Sequence, residues 1–182
     1  MKNRILLLII FCLSISCKKM DVIPSQLLKN SDMESDDLSI WKYSVSYDSF
    51  PPPVRVTEES FSPSHSLKID RIASNFTLDT YYYYSQSYSG EMPIGEDIVL
   101  TAKIKGVNLI GNGVSLAIET IPNGNYVKTG GIIRISGNFD WSEFSVTLPN
   151  LDNNTASIIV YLYYLPKTLG TVYFDDITLT HY

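Results

Sequence analysis

Cysteine and histidine are almost missing from this chain: of 182 residues, two are Cys and two are His. Both cysteines, Cys12 and Cys17, lie in the first seventeen residues, so the rest of the chain has to fold without disulfides. No zinc-type spacing of Cys and His can be assembled, no His-Glu-x-x-His occurs, and no nucleophile elbow is found. His65 stands in a Ser-rich turn and His181 is the penultimate residue, expected to fray. Helical periodicity is also lacking from residue 27 onward, as are internal repeats and low-complexity tracts. Carboxylate neighbours do occur, Glu58 with Glu59 and Asp175 with Asp176. Adjacent residues of a strand point to opposite faces, so neither pair can flank one glycosidic bond as an acid and a base. The sequence reads as a non-enzyme.

Residues 1–16 have a short basic start, Lys2 and Arg4, and an apolar run over 5–13 too short to span a bilayer, which predicts a secretory signal. Leu13-Ser-Ile-Ser-Cys17 resembles the lipobox of bacterial lipoproteins, departing from it in Ser14, where leucine is usual. The resemblance implies acylation of Cys17, a tether over 17–26, a domain over 27–182 and a place in the cell envelope, anchored to a membrane by lipid. Loss of the signal takes two of the 14 basic residues, leaving 12 against 19 acidic ones and a net charge of −7. Such an acidic body excludes nucleic acid and anionic lipid as partners of the protein surface. Membrane attachment would rest on the acyl chains alone.

From residue 27 the chain alternates at period two or is rich in Val, Ile, Thr, Tyr and Phe between turn residues. Strands are predicted at 39–46, 54–58, 66–71, 80–88, 97–105, 113–120, 126–136, 141–148, 156–165 and 171–180. Gly111-Asn-Gly113 and Pro122-Asn-Gly-Asn125 read as turns, and the prolines at 51–53 as a loop or the entry to an edge strand. That count of short strands means a sandwich or barrel, all-β and a single domain. Ile98, Leu100, Ala102 and Ile104 face the core in one strand, and Phe144, Val146 and Leu148 in another, with Trp141 on a bulge or corner.

Thirteen of the 22 aromatic residues are tyrosines, and four stand in a row at 81–84. Whatever the register, two of those four lie on the face away from the core. In 156–165, with Ile158, Val160 and Leu162 inward, Tyr161 and Tyr163 point out. Rings displayed beside amides suit the faces of a sugar, and the expected platform is Tyr82 and Tyr84 with Gln86 as hydrogen-bonding rim, then Tyr161 and Tyr163. The alternative pair is Tyr81 and Tyr83, and a plain cover over one sheet face is the alternative role. The closing strand has two adjacent aspartates, costly there unless paired or solvated. It is expected to run beside the first ordered segment, with Asp175 and Asp176 facing 30–35. One of the two either lies on a solvated edge or turn or helps hold a cation.

The order of motifs resembles the carbohydrate-binding modules of families four, nine and twenty-two. Asn-Ser-Asp-Met-Glu at 30–34 resembles their opening, followed by Trp41, then His-Ser-Leu-Lys-Ile at 65–69, Ser85-Gln86 and the strand at 98–105. Asp140-Trp141 with Phe144-Ser-Val-Thr and the closing run 172–179 complete the set. The resemblance implies a two-sheet antiparallel jelly roll of the galactose-binding-like type that holds glycan chains. It also implies a structural calcium ion mapped to Glu34 and Asp175, with backbone carbonyls supplying much of the remaining coordination. Unlike the usual setting beside an enzyme, this chain shows no second domain, so it is expected to hold or present glycan. A structural or protein-binding envelope lipoprotein is the alternative. A jelly-roll lyase or hydrolase comes third, since neither a Gln-Ile-His nor an Arg-x-Glu-Leu lyase motif is present.

Overall fold

The computed structural model describes residues 25–45, 54–71, 81–129 and 135–182. The expected signal, Cys17 and most of the tether lie outside these, as does the Pro51-Pro-Pro53 run. Among the described residues there are nine strands: β1 (Lys42–Val45), β2 (Val54–Val56), β3 (Ser66–Arg71), β4 (Tyr82–Tyr88), β5 (Ile98–Ile121), β6 (Tyr126–Lys128), β7 (Ile135–Leu148), β8 (Ser157–Tyr164) and β9 (Leu169–His181). All pairs are antiparallel. The order β1-β4-β8-β5-β9-β3-β2 forms one continuous ladder, with β6 and β7 also paired to β5.

The ladder curls into two layers because β5 belongs to both. Its residues 114–121 pair with β8, while its residues 98–110 pair with β9 and β7. Sequence reasoning placed two strands here with a turn at Gly111-Asn-Gly113; the structure makes one strand with a bend. Gly111 and Gly113 take φ of 89° and 76°, and a Cβ on either would come within 1.9 Å of the Lys167 carbonyl oxygen or 2.2 Å of that of Ile135. Glycine supplies the turn's dihedrals without ending the hydrogen-bonded ladder.

The core lies between the layers. Ile98, Leu100, Ala102 and Ile104 from one half of β5 meet Leu116 and Ile118 from the other, Ile158, Val160 and Leu162 from β8, and Val172 and Phe174 from β9; all are fully buried. The alternation read from the sequence in β5 and β8 is therefore the alternation observed. Two other expected strands shift. Residues 38–40 form a short 3-10 turn, whose Ser39 N–H is capped by the Asp37 carboxylate at 3.0 Å, so β1 starts only at Lys42. The predicted 126–136 strand ends at Lys128, and Ile135 already belongs to β7, which continues to Leu148 with a shift of register at Asp140 and Trp141, the bulge expected at the indole.

Tyr82, Tyr84 and Gln86 are on the core side of β4, exposed by no more than 6 %. This corrects the sequence reading, which turned them outward because Gln86 is polar. The Gln86 amide is matched instead: Nε2 donates to the Lys29 carbonyl at 3.0 Å and Oε1 accepts the Lys29 N–H at 2.7 Å. A buried amide with both ends bonded carries little penalty. The first described segment is thereby clamped to β4, and it also lies along β9, where the Leu27 N–H bonds the Leu179 carbonyl and the Ile177 N–H the Ser31 carbonyl. The ends of the domain are tied as expected. His181 does not fray: its ring bonds Glu96 through Nδ1 at 2.5 Å and Ser25 through Nε2 at 2.9 Å.

Gln86→Ala removes both bonds and leaves the Lys29 N–H and carbonyl unpaired; a loss of about 1–3 kcal/mol is expected in denaturant unfolding. Burial pushes the Tyr84 and Tyr164 phenols above the ordinary tyrosine range. The unfolded chain then ionises first, so these groups leave stability intact below about pH 10 and it falls as pH rises beyond that. Spectroscopic titration of tyrosinate should show these two ionising only as the fold opens.

Candidate functional site

With Tyr82 and Tyr84 inward, alternation turns Tyr81 and Tyr83 outward, the other of the two registers open from sequence. Tyr83 sits directly opposite Tyr163 on β8, and Ser85 opposite Tyr161. On the far side of β8, Ser115 faces Tyr163 and Ala117 faces Tyr161, and β6 then sets Lys128 beside Ala117 and Tyr126 beside Glu119. Small side chains on β5 and β4 flank the tyrosines, so the rings stand above the sheet as the walls of a groove of about 460 Å³.

The rings are locked against one another. Tyr161 and Tyr163 stack at 5.0 Å with planes 10° apart, and Tyr83 meets both edge-on at 5.4 and 5.5 Å, while Tyr81 meets Tyr163 at 5.7 Å. Such edge-to-face contacts hold aromatic side chains without closing their outer faces. Tyr81 and Tyr126 remain 46 % exposed. The Tyr161 hydroxyl donates to Glu119 Oε2 at 2.6 Å. Burial, then Glu119, pushes the Tyr161 phenol up; burial, then Tyr126, does the same for Tyr163. Both stay neutral hydroxyls at any physiological pH. The groove thus offers ring faces, phenolic hydroxyls, one carboxylate and one lysine.

Of the five side chains expected to bind ligand, Tyr163 lines this groove and Tyr161 backs it, stacked on Tyr163 and bonded to Glu119, while Tyr82, Tyr84 and Gln86 lie on the core face of β4. Sequence reasoning did not name Glu119, Tyr126 or Lys128. The signal for them is weak: β6 is three residues long, and only its pairing with β5 brings Tyr126 and Lys128 to the tyrosine face.

The opposite layer has its own outward aromatics. Trp141 lies 6.1 Å from Phe61 and 6.4 Å from Tyr173, in a flatter row flanked by lysines that are already paired, Lys103 with Glu143, Lys105 with Glu59 and Lys68 with Glu58. Ser25, His181 and Glu96 line a further cleft of about 580 Å³ at the chain ends.

Glu34 and Asp175 do approach each other's neighbourhood, through the loop at 61–65. Asp175 is fully buried and accepts the N–H groups of Phe61 and Ser62 at 2.8 Å, the Ser62 hydroxyl at 2.9 Å and the Asp176 N–H at 2.7 Å. Glu34 accepts the N–H groups of Ser64 and His65 and bonds the His65 ring. The His65 bond is the main cause holding the Glu34 carboxyl below its usual range. Asp176 is left at a bulge with φ of 44°, its carboxyl raised by burial and by Asp175. β9 is an inner strand, so neither aspartate is on a sheet edge, but Asp176 is partly exposed at its bulge. The oxygens of both carboxylates thus face N–H, hydroxyl and imidazole donors rather than further oxygen ligands. Among the described residues no three of His, Cys, Asp and Glu are grouped as metal ligands.

No protein-family model and no curated protein sequence matches the chain. Solved structures do. A family 61 module, described as TmCBM61 in complex with β-1,4-galactotriose, is 17 % identical with a TM-score of 0.56, covering 87 % of this chain and 99 % of that one. The CBM22-1 xylan-binding domain of Paenibacillus barcinonensis Xyn10C is 13 % identical with a TM-score of 0.55, over 87 % of this chain and 95 % of that one. An arabinose-bound α-L-arabinofuranosidase, MgGH51, is 11 % identical with a TM-score of 0.56, over 86 % of this chain but 26 % of the enzyme. The chain has the jelly-roll fold of the carbohydrate-binding modules.

Proposed function

We propose that this protein binds glycan chains without cleaving them, in the groove walled by Tyr81, Tyr83, Tyr126 and Tyr163, as a lipid-anchored module of the cell envelope. The observation that carries the reading is the interlocked tyrosine set with exposed ring faces on one sheet and hydrogen-bonding groups at its margin. Stacking of pyranose C–H faces on such rings needs rigid, preorganised aromatics, and the mutual edge-on contacts supply that rigidity before any ligand arrives. Glu119 and the phenolic hydroxyls would take sugar hydroxyls. The ligands of two structural neighbours, a galactotriose and xylan, favour a polysaccharide over a free monosaccharide.

A non-catalytic role accords with the weak inventory of acid and base groups. Glu58 and Glu59 are each tied to a lysine at 2.9 Å. Anchoring through Cys17 rests on the lipobox resemblance.

The test is affinity electrophoresis of the full chain in mild detergent against plant, algal and host polysaccharides. Retardation by one glycan class is expected, with Tyr163→Ala or Tyr161→Ala weakening it about tenfold, equivalent to about 1.4 kcal/mol. Tyr82→Phe, under the groove, should leave it unchanged. No retardation by any glycan with the fold intact would overturn the reading and shift attention to protein contact through the Phe61–Trp141–Tyr173 row.

A further inference from the structure

The segment 30–34 is where the family resemblance puts an ion, and an ion there would need backbone carbonyls as well as Glu34 and Asp175. Each of those carbonyls already has a partner. The Asn30 carbonyl accepts the Trp41 indole N–H at 3.0 Å, that of Ser31 the Ile177 N–H at 2.8 Å, and that of Asp32 the Ser62 hydroxyl at 3.1 Å. Those of Met33 and Glu34 both accept the Arg55 guanidinium, at 2.7 Å from Nε and 3.0 Å from Nη2. The same guanidinium pairs with Asp36 at 2.7 Å.

The carboxylates are equally occupied. An ionised carboxylate has about four lone-pair sites, so Glu34 and Asp175 together offer about eight. Seven hydrogen bonds take all but one of them: two on Glu34 Oε1, one on Oε2, and two on each Asp175 oxygen. Six come from the loop 61–65, four of these from backbone N–H groups that an ion could not replace as partners. Such a set of matched donors gives a buried carboxylate what it would otherwise take from a cation.

We propose that Arg55, Ser62 and His65 do in this chain the joining that a bound calcium ion would do, so that the clasp between the 30–36 segment, the 61–65 loop and β9 is metal-independent. Arg55 is the cation of the clasp. Its planar fork reaches two successive carbonyls and a carboxylate at once, a geometry that lysine could not reproduce. Ser62 bridges Asp32 and Asp175 with one hydroxyl, and His65 closes the free side of Glu34.

The clasp is tested on the full chain by thermal unfolding in millimolar EDTA and in millimolar calcium, with calcium alone titrated calorimetrically. The expected result is the same Tm in both solutions and no binding heat. Ser62→Ala and Arg55→Met should each lower Tm by about 5 °C in either solution, with Arg55→Lys failing to restore it. A site filled at a hundred times its Kd would instead raise Tm by about 8 °C. A calcium-dependent rise of that order, saturating at one ion and lost in Asp175→Asn, would overturn the proposal. So would Arg55→Met and Ser62→Ala variants that unfold at the wild-type temperature.

Discussion

Everything in this fold passes through one strand. β5 is 24 residues long, and β6, β7, β8 and β9 all pair with some part of it. Its two halves face each other across the core, so the apolar residues of a single segment supply both layers. That is possible only because the backbone turns at Gly111 and Gly113, where positive φ and close carbonyls leave no room for a side chain. The position of the groove follows. β8 lies against the second half of β5, β4 lies against β8, and the tyrosines of β4 and β8 meet on the outside of the layer that the bend has created.

The groove also shows how a polar surface is made from a strand with four consecutive tyrosines. Two of the rings go inward, where burial holds the Tyr84 phenol neutral, and two go outward, where they brace Tyr161 and Tyr163. The inward rings set the height of the floor and the outward ones the walls. The core and the groove wall are thus served by one run of identical residues, sorted by nothing more than the pleat.

Period-two patterning was enough to read the all-β class, the core faces of β5 and β8, the bounds of β3 at Ser66–Arg71 and the outward position of Tyr161 and Tyr163. It failed where the deciding partner is distant in sequence. Gln86 looks like a surface residue until the backbone of Lys29, 57 residues earlier, takes both ends of its amide. The glycines at 111 and 113 have the signature of a hairpin turn, and only the layers on either side make them a bend. Asp175 invited a cation because β9 itself offers it one donor, the Asp176 N–H; the other three come from a loop 113 residues away. Arg55 gave no hint of its role, since its partners are not the nearby Glu58 and Glu59 but Met33, Glu34 and Asp36, some twenty residues earlier.

The contact of the first described segment with β9 has a mechanical consequence. Residues 27 and 31 bond residues 179 and 177, so the segment runs antiparallel to the closing strand, and Gln26 adds two side-chain bonds to the same stretch. A pull applied to the chain upstream of residue 25 would first load Ser25 on His181, then Gln26 and Leu27 on β9, and only afterwards the Lys29–Gln86 clamp. The bonds would open in succession from the end inward, as in peeling, and the clamp would mark the point at which tension reaches the strand that builds the groove.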